Sequence, residues 1–172
     1  MSRAWYRKCR PATAAGVTLL ATLQIAAYHA PTIEPPLRTT SAMNFAIAIH
    51  GDAATSDSPR TALRFARAVL AKGHRIHRVF FYHAAVNLAN SFVVQPQGEA
   101  DTAADWALFA IENNIELAVC VAAGLRRGVL GAQDADRYEL VGTNVRAPFQ
   151  VVGLGQMIDA AVEADRFVTF CA

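Results

Sequence analysis

Three cysteines, Cys9, Cys120 and Cys171, and five histidines are the side chains with chemistry beyond charge pairing at neutral pH. No CxxC occurs, which disfavours dithiol exchange of the thioredoxin type, and three cysteines make no paired framework. That usage suits a reducing compartment, where a lone thiol is either buried filler or a reactive group. Position separates the two. Cys120 closes the apolar run Ile115 to Cys120, and Val121 to Val129 reads as a short helix ended by Gly128. A thiol at a helix start meets free N–H groups and a partial positive charge, which favour a thiolate and would hold an anion formed on it. Arg126 and Arg127, about one and a half to two turns on, either add positive potential or make surface salt bridges.

The histidines offer competing chemistries. His50 and His83 are expected at the ends of the first two strands, so with Cys120 they could form a metal site, although spacing alone gives no coordination geometry. His83 is also the candidate base of a cysteine hydrolase, against an ordinary structural role. His74 and His77 straddle a helix–strand junction and share no ligand face. Gly153-Leu154-Gly155 lacks the third glycine of a dinucleotide fingerprint, and no GxxxxGK[ST] loop is present. No metal or cofactor is therefore expected. Cys171 is either a second thiol on the same edge or a tolerated terminal residue.

Strand ends matter because open parallel sheets build their sites at the carboxyl ends of their strands. Asn44 to His50 is nearly continuous in apolar residues, as in a strand buried on both faces. Ser58-Pro59 starts a helix with Leu63, Ala66, Val69 and Leu70 inward, and Gly73 stops it. Arg60, Arg64, Arg67 and Lys72 lie off that face and read as a solvated surface rather than a phosphate patch. Ile76 to His83 is the second strand, followed by a short helix near Ala84 to Asn90. Asp101 or Thr102 caps a helix expected to turn Ala104, Leu108 and Ile111 inward, with Trp106 at the margin and Asn113-Asn114 at the end. After Cys120 come a polar stretch, Gln133 to Glu139, and an irregular one, Asn144 to Phe149. Gly153-Leu-Gly155 leads into a helix with Met157, Ile158, Ala161 and Val162 inward, and Arg166 to Phe170 is the last strand. Strands alternating with helices predict an α/β fold, a flavodoxin-like three-layer sandwich with a mainly parallel sheet.

The chain has 172 residues, 53% hydrophobic and 17% charged, enough for one domain with a sizeable core. Its net charge of +2 is unevenly spread. Residues 1–42 hold five of the 16 basic side chains and one of the 14 acidic ones, which leaves the remainder at −2. A slightly acidic body argues against direct binding of nucleic acid or an anionic membrane. Residues 1–42 themselves join a basic stretch, Arg3 to Arg10, to a diluted apolar run, Ala12 to Ala30, and a proline-rich break. Three readings stand: a targeting segment, a membrane anchor, or an extension ahead of a true start at Met43, with the domain over 43–172.

Val119-Cys120-Val121-Ala122-Ala123, followed by Arg126-Arg127-Gly128-Val129, resembles the active-cysteine segment of the DsrE/TusD sulfurtransferases. The resemblance runs through Phe45-Ala46-Ile47, Val79-Phe80-Phe81-Tyr82, Asn87, Asn90, Asn144 and Gly153-Leu154-Gly155 to Ala164-Asp165-Arg166. It implies a cytoplasmic sulfurtransferase of persulfide-relay type, in a heterohexamer with TusB/DsrH-like and TusC/DsrF-like paralogous subunits. Cys120 would accept persulfide sulfur and pass it to a small TusE/DsrC-like carrier, for tRNA wobble-uridine 2-thiolation or dissimilatory sulfur oxidation. His83, Arg126 and Arg127 are the candidate supporting residues. The Tyr82-His83 pair and Gly153-Leu-Gly-Gln156 resemble the Dsr-type chains somewhat more closely, while Ala84-Ala85 stands where a more polar pair is expected. Two other readings remain: a non-catalytic subunit with Cys120 buried, or a metal- or nucleotide-binding module.

Overall fold

Five parallel strands run in the order β4-β3-β2-β1-β5 in the computed structural model, which describes residues 41–171. The segment read as an extension, 1–42, lies outside the described residues except for Ser41 and Ala42. The strands are β1 (Asn44–Ile49), β2 (Arg75–Phe81), β3 (Glu116–Cys120), β4 (Gln150–Val152) and β5 (Arg166–Phe170). The helices are α1 (Ser58–Ala71), α2 (Thr102–Asn113), α3 (Val121–Leu125), α4 (Ala132–Arg137) and α5 (Gly155–Glu163), with a 3-10 turn over His83–Ala89. From β1 to β4 the chain steps one way across the sheet, then returns past β1 to place β5 on its far side. Right-handed crossovers in opposite directions put helices on opposite faces. This is the expected three-layer α/β sandwich.

Side chains alternate across a strand, so register assigns each face. Phe45, Ile47, Ile49, Val79, Phe81, Leu117 and Val119 face α1 and α2. Phe65 of α1 packs against Phe45 and Phe170 with ring centroids 5.9 and 5.5 Å apart. Ala46, Ala48, Arg78, Phe80 and Glu116 take the other face, under α5. The small side chains Ala46 and Ala48 let α5 approach, and Ala160 is its buried contact. Arg78 locks this layer: its guanidinium meets Glu116 at 2.8 and 2.9 Å and donates to the Gln156 carbonyl at 2.9 Å.

Several sequence expectations shift. β4 follows directly on the irregular stretch, over Gln150–Val152 where no strand was expected, and α4 covers most of the polar stretch. Ser58, an N-cap candidate by residue type, is instead the first residue of α1, with Asp57 at the cap position and the Ser58 amide donating to Ser56 Oγ at 3.1 Å. β2 stops at Phe81, two residues short of His83, whose φ of 52° starts the 3-10 turn instead. In α2 the buried face holds Ala103, Trp106, Phe109 and Ala110, while Ala104, Leu108 and Ile111 are exposed. Trp106 decides that rotation. It is wholly buried, meets Phe81 and Phe109 edge-on, and donates its indole N–H to the Pro59 carbonyl at 3.1 Å. Leu108 and Ile111 bury less area, so the tryptophan face wins. In α5, Met157 is half-buried but Ile158, Ala161 and Val162 are exposed, and Ala160 is the buried residue of the helix. Arg60, Arg64, Arg67 and Lys72 are exposed, as a solvated face requires.

Candidate active site

β3 delivers Cys120 to the carboxyl edge. Leu117, Ala118 and Val119 are fully buried, and the strand pairs with β2 on one side and β4 on the other. Cys120 is its last residue, opposite Val152, and also the residue immediately before α3. Its backbone stays extended, with φ −63° and ψ 118°, so helical geometry begins at Val121. The amides of the first turn of α3 therefore start directly after the sulfur and have no partners within the helix. With five residues α3 has little macrodipole, so these N–H groups are what it offers. Cys120 is 1% exposed and belongs to the apolar core.

The turn after the cysteine is fixed in two ways. A Cβ at Gly124 would lie 2.7 Å from the Val129 carbonyl oxygen, so only glycine allows the chain to close back after α3. Asn144, itself buried, then clamps the returning segment. Its Oδ1 accepts from the Leu130 amide at 2.7 Å, and its Nδ2 donates to the Gly128 carbonyl at 2.7 Å and to Asn90 Oδ1 at 3.1 Å. Asn90 and Asn144 thus join three loops on the edge that carries Cys120.

Strand register extends the site beyond that sulfur. Val119, Phe81, Ile49 and Phe170 are paired in one row across β3, β2, β1 and β5. The next residues, Cys120, Tyr82, His50 and Cys171, therefore form the next row at the carboxyl edge. Two amides continue the ladder into it, Tyr82 to the Ile49 carbonyl and His50 to the Phe170 carbonyl, both at 2.9 Å. Cys171 Sγ lies 3.8 Å from His50 Nδ1, and the His50 and Tyr82 rings are 5.4 Å apart. His50 is held below its ordinary value of 6.5, first by burial and then by the nearby charge of His83.

The expected supporting residues divide. His83 is exposed at the start of the 3-10 turn and faces His50 electrostatically. Arg126 is exposed where α3 ends, and Arg127 reaches back to the Ala123 carbonyl at 3.4 Å. Among the described residues no group of three or more histidines, cysteines or carboxylates could hold a metal ion. The Cys171–His50 contact was hidden in the sequence because it depends on β5 lying beside β1. The local signal was a histidine and a cysteine each just beyond a strand.

The chain has relatives among known proteins. The sequence model of the "DsrE/DsrF-like family" matches residues 43–170. A "Sulfurtransferase TusD homolog" from Pseudomonas aeruginosa is 48% identical over 128 residues, 74% of this chain and 97% of that protein. A "Putative sulfurtransferase DsrE" from Allochromatium vinosum is 39% identical, covering 74% of this chain and 98% of its own. A "Sulfurtransferase TusD" from an Enterobacter species is 41% identical over 74% of this chain and all of its own. The crystal structure of the ychN protein from E. coli superposes with a TM-score of 0.58 at 18% identity, over 74% of this chain and 99% of its own, and attests the fold. The matched region spans every strand described above, Cys120 included, and the chain belongs to the DsrE/DsrF-like family, among its sulfurtransferases.

Proposed function

We propose that the protein carries sulfur as a persulfide on Cys120 and passes it to a small carrier protein of TusE/DsrC type. The observation that carries this reading is the place of Cys120, at the carboxyl end of β3 with the free amides of α3 beginning at the next residue. Those N–H groups suit an anionic sulfur, whether thiolate or persulfide. The thiolate attacks the outer sulfur of a donor persulfide, the donor S–S bond breaks, and the donor leaves as a thiol once protonated. The same exchange, run with the carrier's thiol as nucleophile, returns Cys120 to its starting state. Paralogous TusB/DsrH-like and TusC/DsrF-like subunits in the cytoplasm complete the relay, which serves tRNA wobble-uridine 2-thiolation or sulfur oxidation. His83, Arg126 and Arg127 are assigned the surroundings of the incoming donor rather than contact with the sulfur.

A second reading is favoured by one fact. Cys120 is 1% exposed, which also suits a packing residue in a non-catalytic subunit of such an assembly. Sulfur labelling separates the two. The protein is loaded with a cysteine desulfurase and radiolabelled cysteine, alkylated and digested with trypsin. Val79–Arg126 is the peptide that contains Cys120. Label on that peptide is the expected result, and its absence there would establish the packing role.

A further inference from the structure

The Cys171–His50 pair, at the β1–β5 end of the carboxyl edge, is not among the residues assigned above to the relay through Cys120. It is more than an isolated cysteine. An exposed thiol lies 3.8 Å from an imidazole nitrogen, and the Tyr82 phenol ring meets that imidazole edge-on at 5.4 Å between centroids. The titratable groups that face His50 are Cys171 from the end of β5, Tyr82 from the end of β2, and His83 from the 3-10 turn. Burial and His83 both favour the neutral imidazole, the form able to take a thiol proton. Exposure separates this thiol from Cys120, since Cys171 is open to solvent and Cys120 is buried. Register separates them in space as well. Three strand spacings of about 4.8 Å put them about 14 Å apart, too far for direct exchange within one chain.

We propose that Cys171 is a second sulfur-accepting thiol, activated by His50 and loaded from a persulfide donor in solution or on another protein. The donor class rests on the sulfurtransferase reading above. His50 Nδ1 takes the Cys171 proton, and the thiolate attacks the outer sulfur of R–S–SH. The S–S bond of the donor breaks as the new one forms, and the departing R–S⁻ takes the proton back from the imidazolium. Cys171–SH and R–S–SH become Cys171–S–SH and R–SH, with no external oxidant or reductant. An open thiol beside a proton acceptor suits donors that cannot reach a buried sulfur, so the edge would have two independent loading points.

The test uses the full chain carrying Cys120→Ser, with glutathione persulfide as donor. After alkylation and trypsin, the C-terminal peptide Phe167–Ala172 holds Cys171 as its only cysteine. The expected result is one added sulfur on that peptide, formed at least about tenfold more slowly in His50→Asn and restored by added imidazole. No sulfur on the peptide would overturn the proposal. So would equal rates with and without His50, or a loss of rate that imidazole does not relieve. Loading of the Cys120 peptide in a Cys171→Ser chain is read separately. Failure there with Cys171 still loaded would count against the relay and leave the second thiol standing.

Discussion

Cys120 owes its position to two residue-scale choices, an extended backbone at the last strand position and a helix that starts on the next residue. Both were legible, because an apolar run ending in cysteine and followed by Val-Ala-Ala-Gly spells a strand-to-helix junction. The partnership of His50 with Cys171 was not, since 121 residues separate them. His50 gives a pH signature. Its folded imidazole resists protonation below the ordinary 6.5, whereas the unfolded chain takes up the proton freely. Stability should therefore fall as pH drops below about 6.5 and level off beneath the lowered value. Urea midpoints between pH 8 and pH 5 should decline less for His50→Asn than for the parent, and parallel declines would contradict that assignment. Gly124 makes a sharper claim. A methyl group there meets the Val129 carbonyl oxygen at 2.7 Å, so Gly124→Ala should cost about 1–3 kcal/mol in urea unfolding, against a negligible change at an open position.

Among the elements, the strands with long apolar runs declared themselves and the short one did not. β4 has three residues, too few for any periodicity to register, and its neighbours gave no alternation. Every helix but α4 was found, and two were turned to the wrong face. α2 and α5 carry apolar side chains on more than one side, so periodicity cannot choose between them. Packing chooses: Trp106 takes α2 into the core, and Ala160 is the residue that α5 buries. Replacing Ala160 with leucine should cost about 1–3 kcal/mol, while leucine at exposed Ala161 should cost little. Comparable losses at the two positions would mean that α5 packs through another face. The Asn144 clamp belongs to the same scale, since it joins loops rather than supporting one strand. Asn144→Ala leaves the Leu130 amide and Gly128 carbonyl without that partner and should cost about 1–3 kcal/mol, checked by the same urea titration.

At the scale of the whole molecule, strand order governs which reactive groups meet. Local sequence predicts a parallel α/β sheet without saying that β5 returns to the side of β1, because crossover direction leaves no mark on either strand. That return puts Cys171 beside His50 and about 14 Å from Cys120, beyond the roughly 7 Å that a disulfide tolerates between Cα atoms. Mild oxidation of the folded chain should yield no intramolecular Cys120–Cys171 bridge, and a cross-linked peptide joining the two would refute the strand order. No described helix is long and apolar enough to cross a membrane. The central claim, sulfur held on Cys120, is tested most directly by intact mass after incubation with a cysteine desulfurase and cysteine. The chain carrying Cys9→Ser and Cys171→Ser should gain one sulfur, and the chain carrying Cys120→Ser in addition should gain none. No adduct in the first, or one that survives in the second, would contradict the account.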